Sequence, residues 1–169
     1  MSSRAKISNS CQPVVYVMHY HSPIGTIELS SDGTSLTGLY FVNEVDAVDD
    51  AIDLAVFRQT SQWLDIYFSG RMTDTTQAPP LRLEGTPFQK KVWSQLLIIP
   101  YGKTVTYGAI AKRIGCRSAQ AVAGAISRNP VSIIVPCHRV VGADGKLTGY
   151  SGGIGRKHSL LCIEDGGLF

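Results

Sequence analysis

The stretch Thr106–Pro130, TYGAIAKRIGCRSAQAVAGAISRNP, decides the fold of the C-terminal half. Thr106 and Ser118 are good helix caps, because a side-chain oxygen accepts a free main-chain N–H of the first turn. A short helical pattern follows each; the first stops at Gly115, the second at Asn129-Pro130. Two short helices joined by a tight turn around Gly115 have the form of a helix-turn-helix. The second helix has little bulk, since Ala119, Ala121, Ala123, Gly124 and Ala125 carry only small side chains or none. A helix that reads the major groove usually carries long polar side chains. This one suits close approach to a narrow groove or tight packing in a core.

Upstream, Thr86-Pro87 opens another helix with a cap and a proline at the first helical position. Phe88, Val92, Trp93, Leu96 and Leu97 share its apolar face, and Pro100-Tyr101-Gly102 ends it. Downstream, VSIIVP after Pro130 reads as an apolar strand. CHRVVG, a turn at Asp144-Gly145, GYSGG and a last helix centred on Lys157 to Ile163 follow. A hairpin in this region would make the motif a winged variant.

In the N-terminal half, Pro13–Tyr20, Gly25–Ser30 and Leu36–Val42 are rich in β-branched and aromatic residues. Turn signals at Ser22-Pro23 and Ser31-Asp32-Gly33 separate them, which predicts an antiparallel meander. From Asp49 to Phe68 apolar residues recur at helical spacing, predicting one or two helices closed by Gly70. Thr73–Pro80 is polar and ends in a proline pair. The chain therefore divides into an α/β unit at 1–80, a linker to about 85 and a second unit at 86–169.

The 169 residues are 44% hydrophobic and 17% charged, enough for a packed core and against global disorder. No apolar run reaches the ~18–20 residues of a membrane span. The N-terminus lacks the apolar segment of a secretory signal. The cysteines at 11, 116, 137 and 162 form no CxxC pair, which fits a reducing cytosol. Residues 1–85 carry a net charge of −5 and residues 86–169 a net of +8. The second unit is thus expected to face a polyanion, the plain alternative being a solvated basic surface.

Pro136-Cys137-His138-Arg139 is the sharpest chemical signal. A free thiol with a pKa of about 8.5 is only slightly ionised at neutral pH, and burial lowers that fraction further. A neighbouring base or cation raises it, and His138 and Arg139 offer one of each. The bland alternative is a buried cysteine used as a small hydrophobe.

The run Asn129–Val141, NPVSIIVPCHRVV, resembles the active-site segment of the methylated-DNA–protein-cysteine methyltransferases. The likeness extends from Thr86 to Glu164 through the Pro87-Phe88 helix start, Pro100-Tyr101-Gly102, Thr106-Tyr107, the Ala-rich helix and Tyr150-Ser151-Gly152-Gly153. It implies an α/β fold with a small ribonuclease-H-like N-terminal domain and a C-terminal winged helix-turn-helix. It implies transfer of an alkyl group from oxygen-6 of guanine, and from oxygen-4 of thymine, to Cys137, with no cofactor. The product is a thioether, so one protein repairs one lesion.

By the same resemblance His138 is the general base acting through a water, and Glu164 the carboxylate that orients it. Tyr107 is the hydroxyl that gives a proton to the leaving guanine. Val140, Tyr150, Ser151 and Gly152 line the base pocket. Asn129 ties the end of the DNA-binding helix to the active-site turn, or caps that helix. Ala119 and Ala123 would face the minor groove, with Arg117 and Arg128 nearby. The family often has an arginine that fills the gap left by the flipped base; here Gln120 stands there, without the charge and the planar fork.

The implied partner is duplex DNA containing alkylated guanine, bound by a monomer that can assemble cooperatively on DNA. The compartment implied is the cytosol of a bacterium or archaeon, or the nucleus of a eukaryote. Some relatives carry zinc in the N-terminal domain, but Cys11, His19 and His21 are too scattered to predict a metal. Two alternatives remain. Alkyltransferase-like proteins bind damaged DNA without the acceptor cysteine, and Cys137 argues against them. A thiol hydrolase would need an oxyanion hole, of which the pocket loop gives no sign.

Overall fold

Alternation along the meander puts one face of the sheet inside. The computed structural model describes residues 14–43, 52–71 and 78–166. Strands β1 (Tyr16–Ser22), β2 (Gly25–Ser31) and β3 (Leu36–Val42) form an antiparallel sheet in the order β1-β2-β3. Ile27 and Leu29 on β2 are fully buried. On β3 the buried pair is Leu36 and Leu39, three apart rather than two. A register shift at Ser30/Ser31 explains this: Ser30 faces Gly38 while Ser31 faces Leu36, leaving Thr37 as the extra residue of a bulge. A Cβ on Gly38 would lie 2.2 Å from the Ser30 hydroxyl and 2.8 Å from the Tyr40 ring, so a side chain there would have to displace both.

Helix α1 (Ala55–Phe68) covers the inner face with Val56, Phe57, Thr60, Trp63, Leu64 and Tyr67. It starts later than the periodicity predicts. Leu54 is still extended, and Asp49 to Ala51 fall outside the described residues, as do Pro13 and residues 73–77 of the expected linker. The described part of that linker returns to the sheet. The Leu36 N–H donates to Pro80 O (2.8 Å) and the Arg82 N–H to Leu36 O (2.9 Å), which sets Leu81 beside β3.

The C-terminal half starts with α2 (Pro87–Leu97), whose Thr86 and Gln89 form a reciprocal capping box. The two-residue β4 (Val105–Thr106) leads into α3 (Tyr107–Arg113), and α4 (Ala119–Ser127) follows. Thr106 and Ser118 cap α3 and α4 through their side chains. Helix α4 buries Val122, Ala125 and Ile126, and its Ala125 carbonyl accepts the Trp93 indole N–H at 2.9 Å. β5 (Val140–Val141) pairs in parallel with β4, residues 142–150 form neither helix nor strand, and α5 (Ile154–Glu164) closes the fold.

VSIIVP is not a strand. Only Val131 bridges to a strand, at Leu39, and Ser132–Val135 form a turn closed by the Val135 N–H on Val131 O (3.1 Å). The run is apolar because every side chain in it is buried, not because it is pleated. Ile133 takes a left-handed φ of 69°, a strained conformation for a β-branched residue. This turn locks onto the free edge of β3: the Leu39 N–H donates to Pro130 O (2.9 Å) and the Ser132 N–H to Leu39 O (3.0 Å). Leu39 is therefore both a core residue and the link between sheet and site. Leu39→Ala is expected to destabilise the chain by about 3 kcal/mol, read as a lower urea midpoint.

Candidate active site

The end of the locked turn carries the chemistry. Pro136 leaves the chain in a single 3-10 turn, Cys137–Arg139, held by the Cys137 N–H on Val135 O (2.8 Å) and the Arg139 N–H on Pro136 O (3.1 Å). All three side chains are buried. Asn129 braces the turn from inside. Its amide donates to Val135 O at 2.8 Å, and its carbonyl accepts the Val131 N–H at 3.0 Å. One buried side chain thus ties the end of α4 to the segment before Cys137.

His138 and Glu164 meet across the fold. His138 Nε2 lies 2.6 Å from Glu164 Oε1, with His138 fully buried. The same carboxylate takes four further hydrogen bonds. Arg139 Nε donates to Oε2 (2.8 Å) and Arg139 Nη2 to Oε1 (3.0 Å). The Gly102 N–H donates to Oε2 (3.1 Å) and the Tyr67 hydroxyl to Oε1 (2.9 Å). Burial pushes the Glu164 carboxyl up, but the bonds and charge of His138 and Arg139 outweigh it and hold it at about 2. Burial lowers the His138 pKa, against the pull of Glu164, so the ring is neutral near pH 7. Arg139 is then the cation that keeps Glu164 ionised. With Nε2–H given to the carboxylate, the acceptor nitrogen is Nδ1, which is buried and has no protein partner among the described residues.

Burial also raises the Cys137 thiol above its ordinary value. The Asn129 amide, the Lys157 ammonium and the Ser132 hydroxyl pull the other way without cancelling it. The thiol is therefore neutral at rest, and a neutral thiol needs a base to act as a nucleophile. Arg139 does not help it directly, contrary to the sequence expectation. Its guanidinium is spent on Glu164 and on Ile99 O (2.7 Å). The cation that bears on the thiol is Lys157, fully buried, whose ammonium donates to Val140 O (2.5 Å) and Thr148 O (2.8 Å).

The other candidates surround this centre. Tyr107 is half-buried and donates its hydroxyl to Thr148 O (2.9 Å). Val140 is fully buried, Ser151 is exposed, and burial followed by the nearby Cys137 raises the Tyr150 phenol well above its ordinary value. A Cβ on Gly152 would come within 2.7 Å of the Tyr150 ring and 2.9 Å of Phe41, so the main chain takes the space there. On α4, Ala119 and Gln120 are exposed and Ala123 is half-buried, with Arg117 and Arg128 exposed at its two ends. His19 lies 3.5 Å from Glu28, and His21 Nδ1 is 3.3 Å from the Thr26 hydroxyl. Cys11 lies outside the described residues, among which no group of three or more His, Cys, Asp or Glu could hold a metal. No helix among them is long and apolar enough to cross a membrane.

Residue motifs missed three contributors. Tyr67 comes from the other unit, Gly102 acts only through its main chain, and Lys157 looks like a surface residue of an amphipathic helix. The Pro100-Tyr101-Gly102 turn was the one available signal for Gly102, since it is aimed by the end of α2.

A buried thiol, a neutral imidazole and an ionised carboxylate beside a helix-turn-helix define a DNA-binding protein with a nucleophilic cysteine. The family follows from comparison. The 6-O-methylguanine DNA methyltransferase models match it twice, the ribonuclease-like domain over residues 15–82 and the DNA-binding domain over residues 87–166. The chain belongs to this family. It is 44% identical over 155 residues to the methylated-DNA–protein-cysteine methyltransferase of Mycobacterium leprae, covering 89% of this chain and 93% of that protein. It is 45% identical over 157 residues to that of Methanosarcina acetivorans, covering 89% and 98%. The crystal structure of Mycobacterium tuberculosis OGT in complex with DNA superposes with a TM-score of 0.79 at 44% identity, covering 89% and 92%.

The buried charges set the pH response. The folded pKa of His138 is below its ordinary 6.5, so the neutral ring costs nothing above that value and costs stability as pH falls below it. Glu164, held at about 2 against an ordinary 4.5, stabilises the fold above 4.5, and that contribution is lost as pH falls toward 2. Urea midpoints are therefore expected to fall in two stages on acidification. In Glu164→Gln the second stage shrinks, and the unpaired Arg139 lowers neutral-pH stability by on the order of 3 kcal/mol.

Proposed function

We propose that this chain repairs DNA directly, moving an alkyl group from oxygen-6 of guanine to Cys137 once per molecule. The observation that carries this reading is a buried cysteine followed directly in the chain by a buried histidine whose Nε2 is held by an ionised carboxylate. The target oxygen lies inside the base stack, so the nucleotide is rotated out at a cost of a few kcal/mol. The thiol proton passes through a water to His138 Nδ1, and Glu164 stabilises the imidazolium that forms. The thiolate attacks the alkyl carbon in line. The sulfur–carbon bond forms, the carbon–oxygen bond breaks, and the electron pair leaves with guanine. Tyr107 supplies the proton that neutralises the base, exchanging its bond to Thr148 O for one to the guanine. The product is a stable thioether, so one molecule accepts one alkyl group. The same chemistry extends to oxygen-4 of alkylated thymine.

Val140, Tyr150, Ser151 and Gly152 form the base pocket, and Asn129 positions the nucleophile's turn against α4. The exposed alanine face of α4 enters the minor groove, with Ala119 and Ala123 against the sugar-phosphate walls. Gln120 fills the gap left by the flipped base, while Arg117 and Arg128 contact phosphates. The chain acts as a monomer that can assemble cooperatively along DNA, in the cytosol of a bacterium or archaeon or the nucleus of a eukaryote. The work divides between a unit at 1–80 and a unit at 86–169. The net +8 of the second unit supports phosphate-driven, salt-sensitive binding.

Incubation with a methylated oligonucleotide followed by intact mass tests the reading. A stoichiometric gain of ~14 Da on Cys137, absent in Cys137→Ser, is expected for a covalent acceptor. Tight binding without a mass gain, or product in excess of protein, contradicts it. Gln120→Arg is expected to tighten binding to damaged duplex several-fold at fixed salt, by adding a charge and a stacking plane. An unchanged affinity removes Gln120 from the interface.

A further inference from the structure

We propose that Tyr67, in the last turn of α1, is a positioning residue of the alkyl-transfer site. Its hydroxyl sets the Glu164 carboxylate against the His138 ring, so the N-terminal unit takes part in controlling the base. This rests on the reading of His138 as that base.

The hydroxyl touches both partners of the relay. It donates to Glu164 Oε1 at 2.9 Å and lies 3.3 Å from His138 Nε2. The ring cannot drift. It is fully buried, stacked on Trp63 at 5.4 Å, and set edge-on to Tyr101 at 6.1 Å and to His138 at 6.4 Å. Burial and the Glu164 charge hold the phenol well above its ordinary value, so it remains a donor at every working pH. A buried tyrosine that needed only a partner could use any main-chain carbonyl. This one binds the oxygen that also holds the imidazole.

The electrostatic consequence has a sign. Among the described residues, the groups that bear on His138 are Glu164 and Lys157 from α5, Arg139 from its own turn and Tyr67 from α1, with Tyr101 packed on Tyr67 and Arg139. Of these, Glu164 favours the imidazolium, while Arg139 and Lys157 oppose it. A neutral donor on Oε1 spreads the carboxylate charge and weakens its hold on a protonated ring. Tyr67 therefore keeps His138 neutral to lower pH, and it narrows the carboxylate to one orientation.

Tyr67→Phe removes the hydroxyl and keeps the ring. The single-turnover rate of alkyl transfer is measured between about pH 6 and about pH 8.5, the range over which an imidazole base titrates. The expected result is a loss of about tenfold at the acid end and a smaller loss at the alkaline end, because the acid limb moves to higher pH. Affinity for damaged duplex is expected to stay unchanged. Tyr20→Phe is the control: it deletes a hydroxyl–carboxylate bond to Asp65 (2.7 Å) on the same helix, away from the site, and should leave the profile in place. A purely structural role would lower the Tm without moving the acid limb. A Tyr67→Phe profile that coincides with that of the unsubstituted chain overturns the inference and leaves the repair reading intact. Failure of the unsubstituted chain to gain mass overturns both. One further observation needs no substitution. The Tyr67 hydroxyl proton should exchange slowly and show a cross-peak to the proton on His138 Nε2, and its absence contradicts the proposal.

Discussion

One carboxylate organises this molecule. Glu164 is buried and ionised, and it accepts five hydrogen bonds from Tyr67, Gly102, His138 and, twice, Arg139. Removing a charge from water costs several kcal/mol unless it is paired and hydrogen-bonded, so each bond lost from this cluster weakens the fold. The donors come from α1, the turn after α2 and the Cys137–Arg139 turn, while Glu164 ends α5. The cluster is complete only when both units and the last helix are docked. A reactive geometry is thereby made conditional on the whole fold.

The same constraint explains how a buried cysteine is kept both safe and ready. Burial of Cys137 holds the thiol neutral, which protects it from adventitious electrophiles. His138 is also neutral, with its proton committed to Glu164 and its other nitrogen without a protein partner among the described residues. The charge separation that makes a thiolate therefore occurs inside the site, where fixed dipoles and Lys157 can stabilise it. A nucleophile consumed in one event has no later cycle to recover from a side reaction. Readiness on demand suits it better than permanent ionisation.

The sequence showed what was encoded locally. Thr86, Thr106 and Ser118 announced three helix starts because a cap is a short-range contact. Cys137 and His138 stood out because they are adjacent. VSIIVP misled because complete burial of a turn looks like a buried strand when only polarity is read. Arg139 was assigned to the thiol because neighbours in sequence invite that reading, whereas a 3-10 turn sends successive side chains in different directions. Tyr67 was invisible for the opposite reason. It lies 71 residues from His138, on a helix whose apolar period accounts for it fully as a core aromatic. Glu164 was legible only through family resemblance, since on an isolated helix it reads as a surface residue.

The direction in which His138 carries its proton is the fact on which the chemistry turns. Nitrogen-15 NMR of the His138 ring, in the unsubstituted chain at neutral pH, reads it directly. A proton on Nε2 with a bare Nδ1 is the predicted result. A proton on Nδ1, or a fully protonated ring, contradicts the base assigned to Cys137.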